Sequence, residues 1–155
     1  MLKRYILSIL LLSISIFSHG QTLNGLFYEF SKASNVECVN LSPLLMSLLR
    51  PVMMTHDMEG MKVRSLQVLD LSSCNPSVKE NYSRKALQID DERYEPMIMV
   101  NDKEEAVRIY VKGERGIIRE FVVLTTGNDP AFVRIKGYFT MSDMEKICNN
   151  KKYGR

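Results

Sequence analysis

Between Val52 and Met61 the chain reads VMMTHDMEGM, which sets Met53, Met54, Met58 and Met61 around His56. Thioether sulfur and imidazole are soft ligands of the kind that hold Cu(I), so Met53, Met54, His56 and Met58 form the metal-ligating set of this sequence. Met is also the adaptable apolar residue that fills gaps between a Leu-rich helix and a buried strand, and that packing reading is the preferred one. Other chemistry is sparse. Once an N-terminal targeting segment is set aside, His56 is the one imidazole left, and no G-x-S-x-G, P-loop, H-E-x-x-H, G-x-G-x-x-G or EF-hand pattern occurs. The carboxylates Asp90, Asp91 and Glu92, and Glu104 with Glu105, sit in turn-forming stretches beside basic residues and read as solvated turn charges. The expectation is a protein that is not an enzyme and carries no cofactor.

A second candidate site is a surface. In AVRIYVK, Arg108, Tyr110 and Lys112 alternate with Val107, Ile109 and Val111; in FVRIKGY, Arg134, Lys136 and Tyr138 do the same against Val133 and Ile135. If both sets point away from the core and their strands flank Ile117 to Thr126, they make a basic and aromatic face. Such a face suits an anionic ligand: a glycan, a polyphosphate or an acidic protein. The plainer alternative is a charged solvent face neutralised by Glu114 and Glu120.

These residues need elements to position them. Tyr94 to Phe139 holds runs of apolar and β-branched residues separated by NDKE, GERG and GNDP, the pattern of an antiparallel β-meander. Before it, Leu23, Leu26, Phe27, Phe30 and Ala33 recur at helical spacing, Asn35 to Asn40 reads as a short strand, and Ser42-Pro43 starts a helix lined by Leu44, Leu45, Leu48 and Leu49. Met61 to Leu71 predicts a strand buried on both faces or carrying a bulge. Asn75-Pro76 opens a helix of about fourteen residues with Val78, Tyr82, Ala86 and Ile89 on one face. Thr140 with Asp143 caps a last helix. Helices on one face of a mixed, mostly antiparallel sheet bury these stripes, so the fold class is α+β in two layers.

Lys3 and Arg4, the apolar run Tyr5 to Phe17 and the small residues Ser18 and Gly20 predict a secretory signal peptide over residues 1–20, cleaved after Gly20. A single domain over 21–148 and a polar tail over 149–155 follow, the product being periplasmic or extracellular with no transmembrane helix. Losing Lys3 and Arg4 takes 21 basic residues to 19 against 18 acidic ones, so nothing in the charge balance calls for nucleic acid. Of Cys38, Cys74 and Cys148, a Cys38–Cys74 bridge is conceivable if their strands are neighbours; three small buried hydrophobes are the simpler reading.

FYEFSKASNVECVNLSPLLMSLL, VRSLQVLDLSS and above all YEPMIMVNDKEEAVRIYVKGERGIIREFVVLTTGNDPAFVRIKGYFTMSDMEKI resemble the bacterial domain-of-unknown-function family numbered 4252. The resemblance implies a small exported or envelope-associated α+β protein with no established activity. The function expected is therefore an envelope domain binding a partner protein or ligand, the alternative being a small ligand or copper carrier that uses loop 52–61.

Overall fold

The computed structural model describes residues 20–47 and 62–143. Residues 1–19 of the expected signal peptide, the Met-rich loop with Met53, Met54, His56 and Met58, Cys148 and the polar tail lie outside the described residues. The named elements are α1 (Leu23–Phe30), β1 (Glu37–Leu41), β2 (Lys62–Asp70), α2 (Pro76–Leu87), β3 (Glu95–Asn101), β4 (Ala106–Glu114), β5 (Ile117–Thr125) and β6 (Ala131–Phe139). Residues 43–47 and 141–143 are helical as well.

Local chemistry explains most boundaries. Thr22 caps α1, its hydroxyl accepting from the Gly25 amide at 3.0 Å. The helix stops at Phe30 rather than reaching Ala33: Ser31 closes it, and Asn35, at φ 63°, turns the chain into β1. The reciprocal cap at Thr140 and Asp143 forms, with the Thr140 amide and hydroxyl each donating to Asp143 at 2.8 Å. Pro76 stands at the start of α2, where Asn75 takes the cap position with its backbone but without a side-chain bond.

The six strands form one antiparallel sheet in the order β1-β2-β6-β5-β4-β3, making the domain α+β. From β3 on, each strand pairs with the next in the chain, whereas β2 joins β6 and the connection through α2 carries the chain to the far edge. α1 contributes Leu23, Leu26, Phe27 and Phe30 to a core shared with Tyr82 and Ala86 of α2 and with Leu69, Tyr110, Val122, Leu124 and Phe132 of the sheet. The Tyr82 hydroxyl, on a fully buried ring, donates to the Ala131 carbonyl at 2.7 Å and ties α2 to β6.

The opposite sheet face is also apolar. Val39, Val68, Val133, Val123, Ile109 and Ile98 stand side by side, one from each strand, in an unbroken cross-strand row. Ile118, Phe121 and Phe139 gather there into a second cluster with Val63, Val111 and Ile135 around them. At the edge, all seven residues of β3 are exposed.

Candidate functional site

The alternation predicted for β4 and β6 is present, and the register through β5 brings the two sets together. Lys112 pairs with Glu120 and Glu120 with Lys136; in the next row Tyr110, Val122, Arg134 and Gln67 are neighbours. This is the same sheet face on which α1 and α2 pack, so its two ends meet different fates. Tyr110 and Arg134, expected at the surface, are buried at 4 % exposure each, because the helix-side core reaches that far. Lys112, Lys136 and Tyr138 lie beyond it and keep contact with solvent.

Glu120 is the hub of the end that lies beyond the α1–α2 core. The Tyr94 hydroxyl donates to its Oε2 at 2.6 Å, and Lys136, Lys112 and Arg134 approach at 3.6, 3.8 and 4.0 Å. Burial opposes ionisation of Glu120, yet the Tyr94 bond and the three cations outweigh it and leave the carboxyl below its ordinary value. The phenol of Tyr94 moves the other way, pushed up first by burial and then by its bond to the carboxylate. Arg134 donates to Gln67 at 3.1 Å and its guanidinium lies 5.2 Å from the centre of the Phe132 ring, while its Nη2 has no hydrogen-bond partner among the described residues. A buried guanidinium with an unmet donor is costly, and it adds positive charge to this end of the sheet.

Beside the hub the sheet is broken by bulges. The β2–β6 register shifts between Val63 and Ser65, making Arg64 the inserted residue; the β4–β5 register shifts between Lys112 and Gly113, inserting Arg119. A bulge re-aims the side chain it inserts, and here both land on one ring. The Arg119 guanidinium stands 4.2 Å from the centre of the Tyr138 ring and that of Arg64 stands 5.9 Å from it. Gly137, next to Tyr138, allows β6 to approach β2: a Cβ there would fall 2.3 Å from the Lys62 carbonyl oxygen. The result is a shallow cavity of about 240 Å³ lined by Arg64, Ser65, Arg119, Glu120, Lys136 and Tyr138.

A family model described as a domain of unknown function, DUF4252, matches residues 28–147. The chain belongs to the DUF4252 family. No curated protein and no solved structure matches it.

The remaining sequence candidates of this DUF4252 domain stand apart from the hub. Arg108 is half-buried near the β3 edge, where its Nη1 donates to the Met99 sulfur at 3.4 Å and its Nε has no partner. Cys38 is exposed and free on edge strand β1, and Cys74 is buried and free, so the two are not bridged. Among the described residues no cluster of His, Cys, Asp or Glu could hold a metal ion. No helix among them is long and apolar enough to cross a membrane.

Asp91 corrects the reading of turn charges. It is 9 % exposed and accepts from the Leu23 amide at 3.2 Å and from Arg93 Nε and Nη2 at 2.8 Å each. The Arg93 bonds outweigh burial and hold its carboxyl below the usual range. Its acceptor role arises because the first amides of α1 lack helical partners.

Sequence reading missed Arg64, Arg119, Glu120 as a hub, and Tyr94. The signals available were Gly113 and Gly137 inside strand patterns, which mark bulges.

Proposed function

We propose that this DUF4252 domain is an exported, non-enzymatic binding module of the cell envelope that takes an anionic ligand on the uncovered end of the helix-side sheet face. In this reading the fold is a two-layer unit in which helices cover one half of the β3–β6 meander and leave the other half for the ligand. Export is supported by Lys3 and Arg4 ahead of the apolar run Tyr5 to Phe17, with Ser18 and Gly20 at the cleavage positions. The observation that carries the binding reading is the charge of the face: Arg64, Lys112, Arg119, Arg134 and Lys136 surround one carboxylate, Glu120. In a mature chain whose charges otherwise nearly balance, that excess is local. Focused charge of this kind attracts anions at short range and weakens with salt.

The test is retention of the purified chain 21–155 on a dextran sulfate matrix over a salt gradient. The double variant Lys112→Glu/Lys136→Glu should elute at distinctly lower salt than the parent, while Lys32→Glu/Lys103→Glu, away from the face, changes retention little. Equal loss from both pairs would reduce the effect to net charge and refute a binding face.

A further inference from the structure

The geometry points to a phosphate monoester as the anion, held in the cavity beside Tyr138 by the guanidinium forks of Arg64 and Arg119. This inference rests on the anion-binding reading and adds the site and the ligand class.

Three of the five cations on this face are already engaged. Lys112, Arg134 and Lys136 all approach Glu120, and Tyr94 donates to it. Arg64 and Arg119 form no ion pair or hydrogen bond among the described residues; their contacts are with the Tyr138 ring. A guanidinium attracted to an aromatic ring spends none of its N–H hydrogen bonds on that contact and keeps them available to donate. Two such groups sit on the rim of the same cavity of about 240 Å³, with the Lys136 ammonium and the Ser65 hydroxyl among its other lining groups. Glu120, the carboxylate that lines this cavity, is already engaged by the hub.

Charge then selects the ligand. Two guanidiniums with no ion pair among the described residues offer two positive charges. A phosphate monoester carries about −1.5 to −2 at pH 7 and three acceptor oxygens, which matches both forks at once. A carboxylate or a sulfate ester brings one negative charge and leaves one guanidinium uncompensated. Tyr138 acts as a positioning residue: its ring, not its hydroxyl, orders the two arginines.

The experiment is calorimetric titration of chain 21–155 at low salt with methyl phosphate, methyl sulfate and acetate. Methyl phosphate should bind about tenfold or more tightly than either monoanion. Arg64→Gln and Arg119→Gln should each weaken methyl phosphate by about tenfold or more, the loss expected for a charged hydrogen-bond partner. Both residues are exposed, so these variants should melt with the parent. Tyr138→Phe should bind as the parent does and Tyr138→Leu should not. Two further arms separate the sources of the ester: a soluble sugar phosphate, and vesicles carrying phosphatidic acid compared with vesicles carrying a phosphodiester lipid. Unchanged methyl phosphate affinity in both arginine variants, or equal affinity for acetate, overturns the inference even if dextran sulfate retention stands. Loss of that retention to the same extent in both lysine pairs overturns the underlying reading instead.

Discussion

Removing Asp91 should cost this domain a measurable part of its stability, and the cost should vary with pH in a defined direction. The carboxylate side chain is 2 % exposed and closes two contacts, the Leu23 amide at the start of α1 and the Arg93 guanidinium. Arg93 is 49 % exposed in its side chain, so it returns to water when the partner is lost and contributes little. The Leu23 amide cannot: Leu23 is fully buried, and an orphaned buried donor costs roughly 1–3 kcal/mol. Asp91→Ala should therefore destabilise by about 2 kcal/mol, a fall in Tm of roughly 5–15 °C for a domain of this size. Asp91→Asn keeps one acceptor oxygen and should lose about half of that. Because the folded-state pKa of Asp91 is depressed, its contribution is complete above the unfolded-state value of about 3.9 and is lost as pH falls through the lower folded-state value. Urea denaturation of parent and variants at pH 7 and at steps below pH 4 provides both readouts. The gap between parent and Asp91→Asn should narrow on acidification. A gap constant down to pH 2 would refute the depressed pKa, and an Arg93→Gln variant as unstable as Asp91→Ala would refute the assignment of the cost to the Leu23 amide.

Other outcomes follow from packing and exposure. Tyr82→Phe removes the donor to the Ala131 carbonyl without changing the ring, and should lower the urea midpoint by the equivalent of about 1–2 kcal/mol with an unchanged m-value. Gly137→Ala places a methyl 2.3 Å from the Lys62 carbonyl oxygen, a backbone atom in a paired strand; it should yield a poorly folded product, visible as loss of a cooperative melt by circular dichroism. In a Cys148→Ser background, Cys38 should react with a thiol reagent in the native state. Cys74 should react only on unfolding, since burial shields it and pushes its thiol up.

Much of this architecture could be read from residue order because its signals are local. The helical stripe of Leu23, Leu26, Phe27 and Phe30, the Thr140–Asp143 cap and the breaks between β3, β4, β5 and β6 depend on residues a few positions apart. The strand order does not. Nothing in Lys62 to Asp70 reveals that β2 lies against β6 rather than β3, because that choice is made by where α2 carries the chain. The carboxylate of Asp91 looked like a turn charge for the same reason: its partner Leu23 is 68 positions away.

The basic face shows the same limit more finely. Alternation correctly groups Arg108, Tyr110 and Lys112 on one side of β4, since a strand has a period of two. It cannot tell which side is covered when both are apolar, and here Ile109 and Val111 join a second apolar cluster while Tyr110 belongs to the core that α1 and α2 share. A cation in the middle of a strand as apolar as AFVRIKGYF then becomes the informative residue. Arg134 can be buried because Gln67 accepts one of its N–H groups and Glu120, one strand away, supplies a carboxylate 4.0 Å distant. Tyr94, the two lysines and Arg134 in turn offset the burial of Glu120 and favour its ionised form. The chain of dependence runs outward from a buried arginine to a carboxylate engaged by its neighbours; Arg64 and Arg119, inserted by bulges that only strand pairing can reveal, stand outside it beside the Tyr138 ring.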